Sequence, residues 1–464
     1  MNDAECVRTA ISNGNWELVE LILSIPLTPT IASAVLASLP TSTPHSVRFR
    51  IIRSLVQFGA SGLPLSGWLL KAVEESDFQL MDFLLQAGAP LEAGDNRALH
   101  SAVVKKDLRS LQTLLKARPS PQVLCELFPL LRQGYLPGER LDVARMLLEY
   151  GARGVQVDQA LVDAVADTSD SRDLALITEL LRYGANVNYN EGKVVSLAAT
   201  QADIAVLRLA YGSKPSSRTT SAALPLAFDA HGERHSLTLE IIELLLNFGM
   251  EEAPAQRALE LAVHGSLDNT DIINRLISYN KKLVGPAFKF AVALKSTRRK
   301  TPFLKSLLPM GVPQNAIDEA LVAETRHVLE SNDTTILKLL LDNGASINHN
   351  TGEALSIGIS SGNRILATLL LGGKENPSST IITKAFHALF HNLQSKIEVT
   401  GQNDLVKIAE DLLSRGVEQS AIDSTLRSVL NVATQSRNIG ALVDLLLQYH
   451  ANINTADGTC LVSN

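Results

Sequence analysis

The feature that most constrains this chain is a phrase that keeps returning. "RALHSAV" (97–103) is echoed by "QALVDAV" (159–165), "RALELAV" (257–263), "PAFKFAV" (286–292) and, more loosely, "EALSIGI" (353–359). Some seventeen to twenty residues after most of these comes a second phrase that pairs leucines and stops at glycine. Examples are "LMDFLLQAGA" (80–89), "VARMLLEYGA" (143–152), "LITELLRYGA" (176–185), "IIELLLNFGM" (241–250) and "ILKLLLDNGA" (336–345). The glycine or its equivalent falls at 59, 88, 118, 151, 184, 212, 249, 280, 311, 344, 373, 416 and 450. Those are twelve intervals over 391 residues, a mean of 32.6. A fixed period of this length marks a repeat architecture.

Each half of the unit has a readable physics. Ala98, Leu99, Ala102 and Val103 stand at i, i+1, i+4 and i+5, on one face of a helix, and the small alanines allow close approach. Ile177, Leu180 and Leu181 form a second helical stripe, after which Gly184 can take the left-handed conformation that ends a helix. One such hairpin cannot bury both of its faces, but a stack of hairpins can. The spacing predicts about 14 helix-turn-helix pairs, with second helices near 108–117, 173–183, 302–310 and 439–449 among others.

At this level the chain resembles the ankyrin repeat family, which has a period of 33 and a consensus of T-P-L-H-x-A, then L-L, then G-A-x-V-N. Leu99, His100 and Ala102 keep the L-H-x-A part. Gly184-Ala185-Asn186-Val187-Asn188, Gly344-Ala345-Ser346-Ile347-Asn348 and Ala451-Asn452-Ile453-Asn454 keep the end, whereas the Thr-Pro start is missing almost everywhere. The units look most like those of large fungal ankyrin proteins. The resemblance implies an all-α, ankyrin-type α-solenoid, stacked into a curved superhelix, with short or absent β-hairpin fingers and a single array over 1–464. Within it, 212–221 ("GSKPSSRTTS") reads as a flexible loop and 395–404 as part of an insertion. The chain opens directly into a helical pattern and closes on "ADGTCLVSN", an incomplete further repeat, so it is expected to be part of a longer protein.

Composition narrows the function classes. Hydrophobic residues make up 45% and charged residues 19%, with a net charge of -6, so no global field draws the chain to nucleic acid or anionic lipid. Cys6, Cys125 and Cys460 are too far apart to suggest a disulfide framework or a C-x-x-C site. The chain lacks an apolar run of eighteen residues and a secretion signal, so an intracellular, soluble, non-membrane setting is expected.

Chemical motifs are few and weak. "GISSG" (358–362) matches the G-x-S-x-G nucleophile elbow and would make Ser360 a hydrolase nucleophile, but it falls at the end of a first helix with no strand before it. His387 and His391 are four apart without the Glu of H-E-x-x-H, His231 and His235 stand in a polar loop, and "LGGKE" (371–375) is not a P-loop. No catalytic residue, metal or cofactor is expected.

One segment has an electrostatic character of its own. Residues 272–317 hold nine lysines and arginines and no acidic residue. On the ankyrin alignment, Phe290 and Leu294 point into the concave groove, while Lys295, Arg298, Arg299 and Lys300 lie at its end and in the following loop. With Lys289, these seven are the expected partner-binding residues, suited to an acidic protein segment. The plainer alternative is a solvated basic face. The expected function is a non-enzymatic protein-interaction scaffold, monomeric or built into a larger intracellular protein as its recognition array. A free-standing adaptor using the basic segment is the alternative, and a hydrolase using Ser360 a distant third.

Overall fold

The computed structural model describes residues 3–92, 96–132, 134–168, 173–231, 234–265, 268–391, 402–433 and 439–452. These form 28 α-helices in fourteen consecutive pairs, with three short 3-10 turns and no strand among the described residues. The fold is an all-helical solenoid of hairpin repeats. It divides into two compact units, Met1–Ala230 with Glu243–Gly249, and His231–Ile242 with Met250–Asn464.

Within each unit, first helices pack on first helices of the next pair. Leu63–Glu75 lies on Arg97–Val104 in one unit, and His349–Ser360 on Ser379–Phe390 in the other. The buried residues of Arg97–Val104 are Ala98, Leu99, Ala102 and Val103, the four that the spacing selects. In Leu174–Arg182 they are Leu176, Ile177 and Leu180, so the stripe sits one position earlier than expected and Leu181 is only half-buried.

Two devices recur and set the cadence. Second helices open on an acidic or amide cap: Asn15, Asp77, Asp107, Asp173, Asp203 and Asn363 each accept the N–H three residues on. This satisfies one of the donors that a helix start leaves unpaired. At the far end Gly184 is left-handed (φ 87°), and the Ala185 N–H folds back on the Leu180 carbonyl at 3.0 Å. The turn that follows is clamped to its neighbour. Asp158 accepts the Asn186 N–H at 2.7 Å, Asn188 that of Ser216 at 2.7 Å, Asp318 that of Ser346 at 2.7 Å and Asp423 that of Asn452 at 2.8 Å. Each bond joins residues 28 or 29 positions apart, about one repeat, so it fixes how one hairpin sits on the next.

Several details differ from the expectation. Only 213–216 of the 212–221 stretch is loop: helix Ser217–His231 begins inside it and buries Thr219, Thr220 and Ser221, because three small hydroxyl residues fit a tight helix contact. The left-handed residue of that turn is Lys214, since the preceding helix runs through Gly212. Asn280 is extended (φ -142°) instead of left-handed. Second helix ten is Thr297–Leu307, five residues ahead of the expected start at 302, with Pro302 inside it. Residues 395–401 of the insertion, the closing "ADGTCLVSN" and Cys460 lie outside the described residues, while 402–404 begin helix Gln402–Leu413.

The Asp107 cap gives a direct test. It accepts from the Ser110 N–H at 3.0 Å, the Ser110 hydroxyl at 2.5 Å and the Ser76 hydroxyl of the preceding repeat at 3.1 Å. Burial pushes its pKa up, but the hydrogen bonds from Ser110 and Ser76 outweigh this and hold it below the ordinary carboxylate value. A depressed native pKa contributes stability above the unfolded value and loses it as pH falls through the native one. Asp107→Ala should therefore destabilise by about 1 kcal/mol at neutral pH. That deficit should shrink below the ordinary aspartate pKa, as read from urea midpoints of helicity between neutral pH and pH about 3.

Candidate protein-binding surface

The catalytic reading of Ser360 meets a plain structural obstacle. Its hydroxyl donates to the Ile357 carbonyl at 2.9 Å inside helix His349–Ser360, and a Cβ on Gly358 would stand 2.4 Å from a Leu370 methyl. The glycine of "GISSG" is thus needed for helix packing. His387 and His391 lie at the end of Ser379–Phe390, and among the described residues no three His, Cys, Asp or Glu side chains converge as a ligand set. His231 and His235 are helical and not in a loop: His231 ends Ser217–His231 and His235 opens His235–Leu246, where it bonds Asp271 at 2.7 Å and Asn269 at 3.2 Å, while residues 232–233 lie outside the described residues.

The basic segment is built around a break in the repeat. Helix Thr270–Tyr279 should end in a glycine turn, but Asn280 stays extended and its side chain accepts the Lys282 N–H at 3.0 Å. That bond starts the short 3-10 turn Lys281–Leu283, whose Leu283 is buried while Lys281 and Lys282 face solvent. Lys289 follows on the exposed face of helix Val284–Ala293. All three lysines line one depression of about 380 Å³, with Val284, Pro286 and Pro313 among its apolar walls. No acidic side chain pairs with any of the three among the described residues.

The other expected residues separate into three kinds. Lys295 and Arg298 are exposed just beyond the end of the same helix, and Phe290 is half-buried, edge-on to His264 with ring centroids 6.4 Å apart. Arg299 instead donates to the carbonyls of Val263 (3.2 Å) and Gly265, where helix Glu252–His264 ends and cations are favoured. Leu294 and Lys300 are interior, at 7% and 3% exposure, so neither reaches a groove. Lys300 is ion-paired with Glu324, itself 2% exposed, whose second carboxylate oxygen has no hydrogen-bond partner among the described residues.

A sequence signal for this pair existed. With the helix starting at Thr297, Lys300 shares a stripe with Phe303, Leu304 and Leu307 at i+3, i+4 and i+7. Glu324 likewise falls among Ala320, Leu321, Thr325 and Val328 on the inner face of Gln314–Ser331. A helix counted from Pro302 hides this register, because Lys300 then falls outside it. Lys281 and Lys282 belong to the basic segment but were not among the seven, because a regular turn at 280 would have aimed them elsewhere.

No protein-family model and no curated protein matches the chain. Among solved structures it is similar to the pentatricopeptide repeat protein PPR10 from maize, with 13% identity over 94% of this chain and 73% of that one, at a TM-score of 0.25. It is also similar to a circular tandem repeat protein with novel repeat topology, with 12% identity over 96% of this chain and 94% of that one, at a TM-score of 0.14. Among the described residues no helix is long and apolar enough to cross a membrane.

The buried ion pair yields a double-mutant test. Glu324→Leu alone strands the Lys300 charge in the core and should cost about 3–5 kcal/mol in urea denaturation. Lys300→Met with Glu324→Leu should recover most of that loss, since an apolar pair fills the same space without a desolvation penalty. A double variant no more stable than the single one would refute this account of the pair.

Proposed function

We propose that this chain is a non-enzymatic recognition array of ankyrin type, which binds an acidic segment of a partner protein along helix Val284–Ala293. The ankyrin reading rests on the L-H-x-A and G-A-x-V-N phrases and their 33-residue cadence, now on hairpins of the expected order. The observation that carries the binding reading is the distribution of cations that have no acidic partner among the described residues. Lys281, Lys282 and Lys289 lie at one end of the helix and in its middle, and Lys295 and Arg298 just past the other end.

Ten helical residues span about 15 Å, which an extended segment covers in about five residues. An acidic segment of that length meets cations at both ends, gaining steering and charge-assisted bonds. Phe290, half-exposed between the two groups, offers an apolar contact at the centre. In a larger intracellular protein the array supplies recognition, and other domains supply any chemistry.

The test is fluorescence anisotropy of the full chain with a labelled peptide alternating Asp and Glu around one Leu. Lys295→Ser with Arg298→Ser should weaken binding about tenfold or more at low salt, because two charge-assisted bonds are lost. It should also flatten the dependence of affinity on salt. Phe290→Ala should weaken binding while leaving the salt dependence as it is. Unchanged affinity in the doubly substituted protein would sink the proposal.

A further inference from the structure

The depression at the start of helix Val284–Ala293 is more specific than a general acidic-binding face requires. We infer that it accepts a phosphoryl group carried on a side chain of the partner segment, an inference that rests on the acidic-segment reading above.

Four observations converge on this chemistry. The first is number: three lysines, Lys281, Lys282 and Lys289, line one cavity. Arginine and lysine both bind phosphoryl groups, arginine through two oxygens at once and lysine as a compact point charge, so three lysines around one cavity are compatible with such a group. The second is charge balance. A phosphorylated side chain brings about -1.5 to -2 charges and three acceptor oxygens to one point, whereas a glutamate brings one charge and two oxygens. Three lysines around one cavity, with no acidic partner among the described residues, match the former.

The third is size. About 380 Å³ is far more than a carboxylate needs, and it leaves room for a phosphoryl group with its attached side chain. The fourth is the far wall, which is the start of helix Gln314–Ser331. Pro313 occupies its cap position and offers no capping side chain, and the N–H of Asn315, which lines the cavity, has no partner among the described residues. That N–H adds a donor to a site that the lysines define. The built feature behind all of this is Asn280, whose hydrogen bond to the Lys282 N–H holds the 3-10 turn that aims two of the three cations.

The experiment uses the full chain and three labelled peptides of the same acidic sequence, differing only in a central phosphoserine, glutamate or serine. Phosphoserine should bind at least about tenfold more tightly than glutamate, and glutamate slightly more tightly than serine. Lys281→Ser with Lys282→Ser should weaken the glutamate and serine peptides as loss of two charge-assisted bonds requires, but weaken the phosphoserine peptide much more, so that its preference over glutamate is erased. Lys295→Ser with Arg298→Ser should weaken all three alike and keep the preference. Inorganic phosphate at matched ionic strength should displace the phosphopeptide only at far higher concentration than unlabelled peptide does.

Equal binding of the phosphoserine and glutamate peptides would overturn the phosphoryl inference and leave the acidic-segment reading intact. Absence of binding by all three at low salt would overturn both. A preference that survives loss of Lys281 and Lys282 would overturn the site. Displacement by phosphate as effective as by peptide would overturn the claim that the group arrives on a protein segment.

Discussion

Everything in this molecule depends on the inability of a two-helix unit to bury itself. Ala98, Leu99, Ala102 and Val103 cover one side of their helix, and that side is removed from water only when another first helix lies on it. Burial alone is non-directional, so it decides that hairpins stack but not how they register. Direction comes from the polar clamps between successive turns, Asp158 to Asn186 and Asp318 to Ser346, which tie one repeat's free N–H to the previous repeat's side chain. Apolar area supplies the stability, and hydrogen bonds at repeat spacing supply the geometry.

An architecture of this kind leaves its outward positions free of any duty to the fold, so surface chemistry can change most where the repeat is irregular. The basic region shows this. A regular unit would end in a left-handed glycine near 280, but Asn280 is extended and caps a 3-10 turn, exposing two lysines that the regular form would have placed differently. The same segment also shows that a run of charge in sequence is not a run of charge in space. Arg299 closes a neighbouring helix end and Lys300 is neutralised by Glu324 in the core, while Lys281, Lys282, Lys289, Lys295 and Arg298 stay exposed without an acidic partner among the described residues.

The hairpin cadence was legible from the chain itself because it is local. A helix of period 3.6 with leucines on one stripe, a cap residue before it and a glycine after it can be recognised without knowing what it packs on. Most second helices were therefore located within two residues, and the core face of Arg97–Val104 was identified residue by residue. The exceptions lie where local signals conflict. Pro302 reads as a helix start, and the preceding "STRRK" reads as solvated loop, yet the helix begins at Thr297 because Lys300 finds Glu324 and so can occupy an inner position. Likewise "GSKPSSRTTS" has the composition of a linker, yet its second half is helical because small hydroxyl side chains pack tightly.

By itself, then, the sequence determined the repeat, its period, its helical class and the neighbourhood of the basic surface. All of these are properties of spacing along one chain. Only the tertiary structure decided which cations are free, since that depends on partners 24 to 36 residues away: Glu324 for Lys300, and the Val263 carbonyl for Arg299. A charge's availability is set by what stands opposite it in space, and spacing along the chain carries no record of that.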